Sequence, residues 1–170
     1  AEVAFPTGAR YRVGAVEVAV VNDGTFGYDA GAVFGIVPRI MWERVVPPLD
    51  PMHRLTLGLN CLLLRSEGKT VLIESGIGGK PGDRDNASPA SEGTLLTSLA
   101  ALGVAPEDVD IVVNTHLHAD HCGWNVIAEE REGQPLLRPT FPNATYFVAG
   151  TEWNDANHPN ERTRASKPFP

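Results

Sequence analysis

The chain has 170 residues, 42% hydrophobic and 21% charged, which suits one globular domain with a real core. Its net charge of −7 argues against a general nucleic-acid or anionic-membrane binder, because phosphate contacts need clustered Lys and Arg. The cysteines are Cys61 and Cys122, too few for a disulfide framework, so a reducing, cytoplasmic setting is the expectation. The start, Ala1-Glu2-Val3, lacks Met, which leaves a processed, exported form open. No apolar run is long enough to span a membrane.

Valines alternate from Arg12 to Val21, the pattern of a strand, and Asn22-Asp23-Gly24 reads as the turn that closes it. Thr25 to Leu49 is rich in Gly, Pro and aromatic residues (Phe26, Tyr28, Phe34, Trp42). It reads as a long, partly apolar loop with at most short elements, either a flap over the sheet edge or a substrate-facing lid. Leu55 to Arg65 and Lys69 to Glu74 are strand-like, joined at Ser66-Glu67-Gly68 as a hairpin. Ser75-Gly76-Ile77-Gly78-Gly79 is a Gly-rich turn without the ending of a P-loop, and Lys80 to Pro89 is a polar loop. Ser91 can cap a helix running to about Leu102 with Leu95, Leu96, Leu99 and Leu102 on one face, stopped at Gly103. Pro106-Glu107-Asp108 is a helical turn leading into a buried strand, Asp110 to Thr115. Beyond it, Trp124 to Glu132 reads as a short helix, Thr145 to Ala149 as a strand, and Thr151 as the cap of a helix through Asn157. There is no internal repeat and no domain boundary.

The chemistry is concentrated in His116-Leu117-His118-Ala119-Asp120-His121, which holds three of the 5 histidines. In a chain of this composition an HxHxDH pattern arises by chance on the order of two times in ten thousand. Three imidazoles and a carboxylate so close together are a metal-ligand set, with His116 and His118 projecting together from the end of the preceding strand. A pocket beyond the carboxyl end of a strand is where open α/β sheets place ligands. Imidazoles favour zinc, iron, nickel or cobalt, and the carboxylate leaves manganese open. Four such residues do not easily wrap one tetrahedral ion. Two ions are expected, His116 and His118 on one and Asp120 and His121 on the other. The remaining histidines read as surface residues, His53 in a loop and His158 in Asn157-His158-Pro159. Cys61 reads as core. Cys122 reads as a small buried residue, with thiolate ligation as its alternative, and Trp124 as core or site wall.

The run Thr115-His116-Leu117-His118-Ala119-Asp120-His121-Cys122-Gly123-Trp124-Asn125 resembles the metallo-beta-lactamase superfamily of metal-dependent hydrolases. Upstream, Val71-Leu72-Ile73-Glu74-Ser75-Gly76-Ile77-Gly78 resembles that family's strand and DTG segment, and Phe26 to Trp42 looks most like its lactonase and esterase members. The resemblance implies an α/β fold, the αββα sandwich, with its N-terminal half to two-thirds present in residues 1–170 as a single domain short at its C-terminus. It implies zinc, two ions in a complete site, bound by His116, His118, Asp120 and His121, with Asp120 also orienting the nucleophile. It implies attack by a metal-bound hydroxide on a lactone, ester, thioester or phosphoester. Glu74 stands where the family usually has an Asp that supports the metal-binding histidines. The family's later His ligands and bridging Asp have no counterpart here, since His158 does not sit in a similar segment. A homodimer or a complementing chain is therefore expected to complete the site and to cover an exposed sheet face. Two other readings stay open: a metal-binding but catalytically silent half-domain acting as an assembly or regulatory module, and an iron-dependent redox member of the superfamily.

Overall fold

The computed structural model describes residues 8–79, 93–131, 134–161 and 163–164. The loop expected at Lys80 to Pro89 and the cap expected at Ser91 lie outside them. Strand β1 (Arg10–Val13) folds back through Gly14 (φ 61°) onto β2 (Val16–Asp29). The triplet Asn22-Asp23-Gly24 does not end β2, contrary to the turn signal. Asn22 pairs with Asn60 of the next strand and Thr25 with Gly58, so β2 carries one extra residue there, a β-bulge. The Asn22 side chain is satisfied within the sheet. Asn22 Oδ1 accepts from the Gly24 amide at 2.8 Å, and its Nδ2 donates to the Leu59 carbonyl at 3.3 Å and to Asn60 Oδ1 at 3.1 Å. A bulge and a turn use the same residue types, and long-range pairing decides between them.

The segment read as a loop is partly ordered. Its first residues extend β2 to Asp29, whose Oδ1 accepts from the Ala32 amide at 2.8 Å and caps α1 (Ala30–Phe34). The one-turn α2 (Arg39–Trp42) follows Pro38. Phe34 and Trp42 stack with centroids 4.6 Å apart, and with Ala30 and Leu55 they form a separate small cluster.

β3 (Arg54–Ser66) and β4 (Lys69–Ile73) form the expected hairpin. Its two loop residues, Glu67 (φ 51°) and Gly68 (φ 74°), are both left-handed, as a type I′ turn requires. After α3 (Leu95–Ala101) and a 3-10 turn at Pro106–Asp108, β5 (Ile111–Val113) pairs parallel with β4. Next come α4 (Ala119–Cys122) and a 3-10 turn at Gly123–Asn125. The helix expected from Trp124 to Glu132 is instead that turn followed by β6 (Val126–Arg131), which pairs with β7 (Gln134–Pro139) as a two-stranded ribbon. Val126 and Ile127 favour extended backbone, and pairing with the neighbouring strand decides the conformation. β8 (Thr145–Phe147) then closes a six-stranded mixed sheet in the order β1-β2-β3-β4-β5-β8, and α5 (Gly150–Asn157) follows it.

The two faces of this sheet are unlike. Across one face the register aligns Ala19, Leu63, Leu72, Val112 and Tyr146. This row packs under α3, whose Leu95 and Leu99 are fully buried, and against Phe141. Across the other face the register aligns Val20, Leu62, Ile73, Val113 and Phe147. That row is apolar too, yet Leu62 is 36% and Phe147 52% exposed. Leu63→Ala should therefore cost about 2–5 kcal/mol in urea unfolding, and the neighbouring Leu62→Ala less than half of that. Equal losses would mean that the second face is covered in solution.

Candidate metal centre

β4 and β5 run parallel and end side by side, with Ile73 opposite Val113. The residue after β4 is Glu74, in a left-handed conformation (φ 64°) that a non-glycine residue holds only against strain of about 1–3 kcal/mol. Its amide donates to the Val113 carbonyl at 2.9 Å. Its side chain turns toward the histidine segment, where Oε1 accepts from the Thr115 amide at 2.8 Å. Oε2 is buried and accepts no hydrogen bond of good geometry; it lies 3.2 Å from His121 Nδ1.

The strand ends at Val113, short of the expected Thr115, so the histidines lie on the loop and the single turn that follow. The His116 ring is 3.9 Å from the His121 ring and 4.6 Å from the His118 ring, centroid to centroid. The Thr115 hydroxyl lies 3.0 Å from His116 Nδ1, which leaves Nε2 for a ligand. His121 Nε2 lies 3.4 Å from Asp120 Oδ2. The His118 carbonyl accepts from the amides of His121 (3.0 Å) and Cys122 (3.2 Å), which forms α4 and stacks the ligand-bearing residues on one turn. The Cys122 thiol donates to the same carbonyl and packs with Leu117 and Ala156. Leu117 is held by Glu152 of α5, which accepts from its amide at 2.7 Å.

A backbone zipper fixes this turn against the Gly-rich loop. The Ser75 amide donates to the His121 carbonyl at 2.8 Å, Gly123 to Gly76 at 2.7 Å, and Trp124 to Ser75 at 3.2 Å. The approach is so close that a Cβ on Gly123 would lie 2.1 Å from the Ile77 carbonyl carbon, which is why glycine stands there. Asn114 Nδ2 also donates to the His121 carbonyl, at 3.0 Å.

The charges respond to this packing. Burial works to raise the Glu74 pKa, but the His121 imidazole and Thr115 together outweigh it and hold the carboxyl below its ordinary value. Glu74 in turn raises His121, against the effect of burial. His116 is lowered, first by burial and then by the neighbouring His121 and His118, so it favours the neutral form that ligates metal.

The ligand atoms of Glu74, His116 and His121 lie within 4.8 Å of one another. Two imidazoles and a carboxylate whose buried Oε2 accepts no other hydrogen bond fit a metal cation of the zinc type. Of the sequence-expected ligands, the structure brings His116 and His121 into this group and sets His118 and Asp120 beside it. Glu74, expected only to support the histidines, offers an oxygen of its own. Glu152 and Asn114 were not anticipated as holders of the motif. His53 and His158 are exposed and do not join the group, and Cys61 is a core residue whose thiol burial pushes far above its ordinary pKa. A cleft of about 380 Å³ opens beside the centre, lined among others by Phe26, Leu57, Leu59, Glu74, Asp120 and His121. No helix among the described residues is long and apolar enough to cross a membrane.

A mixed sheet with a histidine–carboxylate cluster beyond the carboxyl ends of its parallel strands defines an α/β fold with a candidate metal centre. The family model of the metallo-beta-lactamase superfamily matches residues 56–140. An N-acyl homoserine lactonase of Bacillus cereus is 29% identical over 101 residues, covering 51% of this chain and 40% of that protein. A probable metal-dependent hydrolase from Staphylococcus aureus has a similar structure, with a TM-score of 0.76 and 24% identity over 92% of this chain and 57% of the other. AidC, a dizinc quorum-quenching lactonase, has a TM-score of 0.67 at 21% identity, over 90% of this chain and 48% of that one. The chain belongs to the metallo-beta-lactamase superfamily. It spans about half the length of the proteins it matches, one part of the sandwich fold.

The Glu74–His121 pair has a pH signature in the metal-free chain. His121, raised, contributes stability in full below its ordinary 6.5 and loses it as pH rises through its folded value. Glu74, lowered, contributes in full above its ordinary 4.5 and loses it as pH falls through its folded value. The difference in urea midpoint between wild type and Glu74→Gln should therefore be widest between pH 4.5 and 6.5. A difference independent of pH would show that the pair does not form.

Proposed function

We propose that this chain carries the ligand-bearing part of a metal-dependent hydrolase acting on a small ester-like substrate: a lactone, ester, thioester or phosphoester. The convergence of Glu74, His116 and His121 within 4.8 Å is the observation that carries this reading. Zinc is the metal proposed, with two ions in a complete site and His118 and Asp120 sharing the ligation. When bound, the metal lowers the pKa of a coordinated water and polarises the scissile carbonyl or phosphoryl group.

The protein's own residues prepare that chemistry. His116 stays neutral because burial and its two imidazole neighbours disfavour its protonation. Glu74 faces His121 Nδ1 and directs the other ring nitrogen toward the Asp120 side of the cleft. Asp120 lines the cleft and is the group proposed to orient the attacking water. Phe26, Leu57 and Leu59 give the cleft an apolar wall suited to a hydrocarbon portion of the substrate. The Bacillus cereus relative is named for a lactone with an acyl group, which suits such a wall.

A second reading, the catalytically silent metal-binding module, is favoured by one observation: among the described residues, no histidine outside the motif joins the cluster. A second copy or a complementing chain seated on the apolar row of Leu62 and Phe147 would reconcile the two readings. A lactone, aryl-ester and phosphotriester panel, run with and without zinc, separates them. The hydrolase reading expects metal-dependent turnover of at least one substrate, lost in His116→Ala and Asp120→Ala and lowered about 10- to 100-fold in Glu74→Gln. Tight zinc binding without turnover, alone and with added C-terminal half of a relative, would leave the module.

A further inference from the structure

Asp23 is fully buried at the β2 bulge and belongs to no metal cluster. The extra residue of the bulge re-aims its side chain off the ladder and into the space behind the metal loop. There its carboxylate accepts four hydrogen bonds from three separate segments. Oδ2 accepts from the amides of Ile77 (2.7 Å) and Gly78 (3.4 Å) in the Gly-rich loop. Oδ1 accepts from the Leu95 amide at the start of α3 (2.7 Å) and from the Trp124 indole Nε1 (2.9 Å). The space is closed around it: a Cβ on Gly76 would lie 2.1 Å from Oδ2, and one on Gly93 would lie 2.5 Å from Oδ1.

Among the described residues every partner is an N–H donor, so an acceptor at both oxygens suits the site. Asparagine would turn an NH2 group toward one pair of donors and leave buried amides unpaired, which costs about 1–3 kcal/mol for each group. Two of the segments Asp23 gathers, the Gly-rich loop and Trp124, reach the histidine turn. Ser75 and Gly76 are zipped to His121, Gly123 and Trp124, and Trp124 follows His121 by three residues.

We propose that Asp23 is the positioning residue of the metal loop: by clamping the Gly-rich loop and Trp124 together, it holds residues 119–125 in their ligating arrangement without touching a ligand. The inference rests on the proposed metal centre for what it does to metal affinity, and on the clamp alone for what it does to the loop.

Hydrogen exchange read by mass spectrometry on the metal-free full chain tests the clamp, and cobalt(II) titration with its visible spectrum tests the effect on the site. Asp23→Asn should speed exchange in 75–79 and 119–125 by roughly tenfold or more. It should weaken cobalt affinity about tenfold or more and change the ligand-field bands. Leu55→Ala, a truncation in the separate Ala30–Trp42 cluster, should leave both near wild type. Wild-type protection of 119–125 in Asp23→Asn, or equal loosening in Leu55→Ala, overturns the proposal. If Asp23→Asn does not fold, Trp124→Phe removes the indole hydrogen bond together with part of the ring and leaves Asp23 in place; several-fold faster exchange in both 75–79 and 119–125 supports the clamp and unchanged exchange overturns it. A wild-type chain that takes up no cobalt would sink the metal centre, while the exchange comparison still decides the role of Asp23.

Discussion

The backbone zipper between Ser75–Gly76 and His121–Trp124 is the constraint on which the site depends. Neither segment has regular structure of its own beyond one helical turn. Each is placed by the other, through three amide hydrogen bonds and glycines at the points of nearest approach. The sheet contributes the starting points, because parallel pairing of β4 and β5 brings Glu74 and Thr115 to the same edge. Side chains then lock the arrangement from three directions. Asp23 holds it from the bulge, Asn114 from the end of β5 and Glu152 from α5. Buried polar groups satisfied in this way specify one arrangement, since any slip would leave donors and acceptors unpaired.

That rigidity holds the groups proposed as ligands in one arrangement. Three imidazoles and two carboxylates stand side by side. His116 is pushed toward neutrality, and His121 is held toward its charged form by Glu74. A metal bound in the proposed centre would displace a proton from His121 and supply positive charge beside Glu74, coupling metal uptake to proton release.

The histidine cluster proposed as the metal centre stands out in the sequence because its spacing is local: HxHxDH needs no knowledge of the rest of the chain. The β3–β4 hairpin was legible for the same reason, as two strand-like runs joined at Ser66-Glu67-Gly68. What could not be read depends on distant partners. Asn22-Asp23-Gly24 carries a turn's composition, and only the amides of Ile77 and Leu95 and the indole of Trp124 make it a bulge with a clamping carboxylate. Residues 126–131 form a strand because 134–139 lies alongside, a pairing invisible in a charged, weakly periodic stretch. Glu74 was placed beside the histidines only by the resemblance, as the counterpart of the family's supporting Asp. Its left-handed backbone, which brings its own oxygen into the ligand group, has no local signature in a non-glycine residue.

The central claim is that this chain binds a metal through imidazole and carboxylate groups of one loop and one strand end. Zinc-edge X-ray absorption on the zinc-loaded chain tests it most directly. The account expects only nitrogen and oxygen neighbours, at about 2.0–2.2 Å, with the outer scattering of at least two imidazoles. A sulfur neighbour at about 2.3 Å, which would bring in Cys122, or zinc that washes out on desalting, would contradict it.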